Sequence, residues 1–88
     1  MPERWLISFY SEVWRWVGEE RELLATYDTV LLIDEHPVRF AARMTVGYHE
    51  FLQRKEESGS RLLRIYWATP VPEGMLNELE IELLSPPY

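Results

Sequence analysis

Asp34-Glu35-His36 and His49-Glu50 are the two places in this sequence where titratable side chains stand close enough along the chain to suggest chemistry. Two imidazoles and several carboxylates could ligate a metal, or divide the work of general acid and base, if the two clusters met in space. The chain between them argues otherwise. Pro37 to Ser58 reads as a helix, and the thirteen residues from His36 to His49 correspond to about 18–20 Å of axial rise. A structural role suits these residues better, with Asp34 and Glu35 at the positive N-terminus of the helix and His49 on its wet side. No His-Glu-x-x-His, phosphate-binding loop, Gly-rich dinucleotide loop or Gly-x-Ser-x-Gly occurs. Glycines 18, 47, 59 and 74 are too scattered to cradle a phosphate. The absence of cysteine removes thiolate metal sites, disulfides and cysteine nucleophiles together. These residues predict no catalytic group, no metal site and no cofactor, hence a protein that is not an enzyme.

Arg39, Arg43, Arg54, Arg61 and Arg64, with Tyr66 and Trp67 nearby, invite comparison with a single-stranded nucleic-acid platform of basic groove and stacking rings. Two facts oppose it. Glu50 and Glu57 share the polar side of the helix with the arginines, Glu50 and Arg54 in the favourable i, i+4 orientation. The net charge of −6 repels phosphate backbones. No nucleic-acid partner is expected.

The acid is unevenly placed. Eight carboxylates precede Pro37 and four lie between Glu73 and Glu82, whereas the helix is close to neutral. The first segment also holds Trp14 and Trp16. An acidic surface bearing such rings steers and anchors a protein partner, a basic one by charge complementarity. Trp14, Trp16 and Arg15, with Glu12 and Glu19 at the rim, are the expected partner-binding residues.

The elements that must position them follow from periodicity. Trp5 to Val17 alternates and is rich in aromatic and β-branched residues, so it reads as a long strand. Gly18-Glu19-Glu20 is a turn, and Leu23 to Ile33 forms the returning strand of a hairpin, although Glu19 to Thr26 would suit a short helix by propensity. In Pro37 to Ser58, Phe40, Ala41, Met44, Tyr48, Phe51 and Leu52 recur at helical spacing. Asp34 is the expected N-cap, and Gly59 the stop. Arg61 to Ala68 is a third strand ended by Pro70-Val71-Pro72. Met75 to Leu84, with Leu79, Ile81 and Leu83 alternating against glutamates, is read as a fourth strand. Phe40, Met44 and Phe51 from the helix and Ile7, Phe9, Leu31, Ile33, Ile65 and Trp67 from the sheet are the expected core.

These elements predict one α+β domain over residues 1–88, a two-layer β-β-α-β-β arrangement with one amphipathic helix on a mostly antiparallel four-stranded sheet. One helix covers one sheet face, yet the strands carry large apolar residues on both. A partner, a second copy of the chain or a ligand must cover the other. The expected function is a small acidic interaction module, a regulator, inhibitor or adaptor of the phage type, with homodimerisation as a further expectation. The alternative is a homodimeric small-ligand-binding protein or small enzyme with an aromatic pocket between sheets and His36 or His49 among its polar contacts. No apolar run approaches the roughly 20 residues of a membrane span, and the lack of cysteine favours the cytoplasm. Eight Arg against one Lys, with Gln53 and Asn77 the only carboxamides, suit a thermophile or a GC-rich genome.

Overall fold

In the computed structural model, which describes residues 3–72, the alternating segment forms β1, Trp5–Val17, with the ends its pattern predicts. The chain reverses through Gly18-Glu19. Gly18 sits at φ +65°, the left-handed conformation that the first residue of a tight II′-type hairpin loop requires and that glycine adopts without strain. The returning strand β2 spans Glu20–Ile33. Helix propensity at residues 20–26 therefore loses to cross-strand pairing, in which Arg21 lies opposite Trp16 and Glu22 opposite Arg15.

The helix α1 is Pro37–Arg54. Its N-cap is His36, whose Nδ1 accepts from the Val38 amide at 3.2 Å, and proline occupies the first turn. The expected cap, Asp34, is held instead by Arg4 at 2.8 Å. The helix stops earlier than expected, at Lys55, which takes the left-handed conformation (φ 50°, ψ 45°). Gly59 does not serve as the stop and belongs to β3, Ser58–Pro70. A Cβ at Gly59 would overlap the Phe51 side chain, so glycine there lets the helix settle directly on the strand backbone.

Among the described residues the sheet has three strands in the order β2-β1-β3, all antiparallel, and the element order is β-β-α-β. The four-stranded β-β-α-β-β arrangement is thus corrected to a small three-stranded α+β fold. Its central strand β1 is flanked by both others. The expected strand Met75 to Leu84 lies outside the described residues.

Ile7, Phe9, Ile33 and Phe40 form the core, with Trp5, Met44, Leu62 and Ile65 against it. The Phe9 and Phe40 rings meet edge to face at 6.1 Å. Phe51, fully buried, makes a second knot with Trp16 and Tyr48. Two expected core members are exposed. Leu31 lies opposite Ile7 but on the edge strand β2, away from the helix, which rests nearer β3. Trp67 is turned outward by a bulge: β3 carries an extra residue at Tyr66, so Ile65 pairs with Phe9 and Trp67 with Ser8. Strict alternation puts Ile65 and Trp67 on one face; the inserted residue separates them.

Candidate interaction surface

The clusters that could have carried chemistry are dispersed by the fold. Glu35 is paired with Arg43 at 2.6 Å, His36 caps the helix against the edge of the Trp5 ring at 4.9 Å, and His49 is exposed further along the helix. Among the described residues no group of three or more His, Asp or Glu is placed to hold a metal ion.

The five residues expected to bind a partner gather at the hairpin end of the sheet, where they also contact each other and the helix. Trp16 donates from Nε1 to the Phe51 carbonyl at 2.9 Å, its ring 5.7 Å from that of Phe51, and Lys55 sits over it. Lys55 also pairs with Glu19 at 2.7 Å. Its hydrogen bond, and then its charge, hold the Glu19 carboxyl below the usual carboxylate value. Arg15 pairs with Glu22 across the hairpin at 3.1 Å. Trp16 and Glu19 thereby join the turn to the end of the helix, a connection the sequence pattern did not show. Glu12 has a different setting. It accepts from Tyr10 Oη at 3.4 Å and from Trp14 Nε1 at 3.3 Å, which strings three alternate residues into one row along β1. Arg21 covers the Trp14 ring at 5.9 Å and donates to the Tyr48 hydroxyl.

That row continues as Ser8 and Leu6, on the side of β1 opposite the buried Ile7 and Phe9. Register then fixes the rest of the surface. Leu6 lies opposite Leu32, Ser8 lies between Val30 and Trp67, and Tyr10 lies between Asp28 and Arg64. Tyr66, in the bulge, is covered by Arg64 at 5.6 Å. Trp67 is 46% exposed and Tyr66 47% exposed. Desolvation first, then the charge and hydrogen bond of Glu12, with Tyr66 and Asp28 adding, hold the Tyr10 phenol above its ordinary value. The surface is thus aromatic and aliphatic at its centre, with Asp28, Glu12 and Arg64 around it. Sequence reasoning missed Tyr66, Trp67 and Val30 as surface anchors because only the bulge and the edge position expose them.

The functional context comes from the molecule itself: no protein-family model, curated protein or solved structure matches the chain. No helix among the described residues is long and apolar enough to cross a membrane.

Proposed function

We propose that this protein is a non-enzymatic protein-protein interaction module that presents the uncovered face of its sheet to a protein partner, acting as a regulator, inhibitor or adaptor. The observation that carries the reading is the pair Tyr66 and Trp67, two large rings about half exposed on a face that no element among the described residues covers. Rings of this kind are the usual anchors of interfaces, and beside them Leu6, Ser8, Tyr10 and Glu12 form a half-buried row that makes the surface continuous. Glu12 belongs to that row and accepts from Trp14, while Trp16, Arg15 and Glu19 hold the hairpin end from which it starts. Asp28 and Glu12, with the net charge of −6, suit a partner whose apolar patch is rimmed by basic groups.

The test uses wild type and the variant Tyr66→Ser with Trp67→Ser as paired baits in the native host extract. Both residues are exposed, so the variant is expected to melt within a few degrees of wild type while losing a protein that wild type retains. Retention of the same proteins by both baits would contradict the reading.

A further inference from the structure

Rows of residues, one from each strand, cross the face of the sheet that no described element covers. Leu32, Leu6 and Thr69 form one row, Val30, Ser8 and Trp67 the next, and Asp28, Tyr10 and Arg64 a third. Ser8 is the smallest of these side chains, so the face dips there between Leu6, Val30, Tyr10 and Trp67. Strand β3 makes the dip aromatic at the expense of its own ladder. The extra residue keeps Ile65 against the core and brings both Tyr66 and Trp67 to the outer face, about half exposed. A bulge that interrupts pairing and turns two large rings into water is typical of places where a strand re-aims side chains toward a ligand.

The chemistry of an occupant follows from what the face of a sheet lacks. Backbone N–H and C=O groups point sideways toward neighbouring strands, so a segment lying on the face gains no main-chain partners from the sheet. Such a segment either satisfies its own backbone, as a helix does, or leaves it to water, as polyproline II does, with proline contributing no N–H at all. A helix does not suit this face. Its apolar part is two rows about 7 Å apart, bounded by the charged row of Asp28 and Arg64. A helix on a sheet needs an apolar stripe over several turns, as α1 has from Phe40 to Phe51.

We infer that this face binds a proline-rich segment in the polyproline II conformation, with an arginine or lysine beside its prolines, an inference that rests on the reading of the face as a partner-binding surface. Spacing and charge both fit. Tyr10 and Trp67 are separated by two residues of about 3.4 Å along the strands and one strand of about 4.8 Å across, which sets their Cα atoms about 8 Å apart. One turn of polyproline II rises about 9.3 Å, so prolines at i and i+3 fall one against Trp67 in the dip and one against Tyr10 and Tyr66. The Trp67 indole N–H makes no hydrogen bond among the described residues and can donate to the solvated carbonyls of such a ligand. Asp28 has no ion-pair partner among the described residues either, and with Glu12 it gives the β2 side of Tyr10 a negative charge. Arg64 lies over Tyr66 at 5.6 Å on the β3 side, which directs the ligand's cation toward Asp28.

The experiment is a titration of the isotope-labelled full chain with a peptide of about ten prolines followed by two arginines, up to about 2 mM, read by nuclear magnetic resonance at the tryptophan indole N–H groups. Trp67→Phe identifies the signal of Trp67. That signal is expected to shift and saturate, while those of Trp5 and Trp16, packed against the core and the helix end, stay in place. A Gly-Ser peptide of the same length and charge is expected to leave Trp67 unmoved, which separates proline from basicity alone. Ser8→Leu, which fills the dip, is expected to weaken binding more than about tenfold, and Ser8→Ala, which preserves it, to change binding less than about twofold. Asp28→Asn is expected to weaken the arginine-ended peptide about two- to fivefold and to leave a glutamine-ended one unaffected. No saturable shift of Trp67, an equal shift with the Gly-Ser peptide, or a shift only with an amphipathic helical peptide would overturn the inference. So would a Trp67 signal that moves with protein concentration before peptide is added, because a second copy would then occupy the face. Loss of a retained protein by the Tyr66→Ser, Trp67→Ser bait together with no peptide shift would keep the partner-binding surface and remove the proline-rich ligand.

Discussion

The two strands of the hairpin face opposite circumstances. β1 is paired on both edges and packed by the helix, and it contributes Ile7, Phe9 and Ser11 to the interior. β2, its antiparallel neighbour with nearly as many apolar side chains, buries only Ile33 among its fourteen residues. The difference arises from position and not composition. A central strand finds backbone partners on both sides and cover for one face, whereas among the described residues the edge strand β2 has a partner on one side only and lies away from the helix, which rests nearer β3. Apolar residues on the inner face of β1 therefore report stability, and those exposed on β2 contribute little to it.

The contrast is sharpest for large-to-small substitution. Phe51→Ala removes a fully buried ring that holds the helix against Trp16 and Gly59. It is expected to cost about 3–5 kcal/mol, most of the stability of a domain this small. Leu24→Ser on β2, an exposed position, is expected to change stability by no more than about 0.5 kcal/mol. Urea unfolding followed by tryptophan fluorescence measures both, and equal losses would erase the distinction. Next in size is Gly59→Ala. The added methyl must displace Phe51, and a loss of about 1–3 kcal/mol is expected; a neutral result would mean that the helix can move off β3 without penalty.

Smaller effects concern pH. The Tyr10 phenol, raised by burial and by Glu12, favours the fold while protonated. That contribution is complete below its ordinary value of 10.0 and is lost as pH rises through the higher folded value. Melting temperature is expected to fall more steeply above pH 10 in wild type than in Tyr10→Phe; parallel curves would remove Tyr10 from the account. Glu19 works in the other direction. Its carboxyl is lowered by Lys55, so its stabilisation holds above the ordinary 4.5 and disappears as pH falls through the folded value. Because the pair is exposed, Glu19→Gln should flatten the acid limb only slightly.

Much of this architecture is legible in the chain. Alternation defines β1 end to end, and helical spacing places Phe40, Met44 and Phe51 on the inner side of α1. What escapes is everything set by one inserted residue or by lateral position. Tyr66 shifts the parity of β3 and sends Trp67 outward, and no local pattern marks it as a bulge. Leu31 has the sequence of a core residue and lies at the edge because strand order is not written in periodicity. The strand from Glu20 overrides a helix-forming run because its partner is β1, remote in propensity but adjacent through a two-residue turn. In the sequence, Trp14 and Glu12 stand out through the coincidence of acid and aromatics. Trp16 stands out with them, although its hydrogen bond to Phe51 depends on a helix end that composition does not position.

The central claim is that, among the described residues, the inner face of β1 is packed and its backbone paired on both sides, whereas β2 is paired on one side and largely exposed. Amide hydrogen exchange read by mass spectrometry tests this most directly. Exchange is expected to be slow across β1 and faster across residues 20–33. Protection of β2 that equals that of β1 would contradict it.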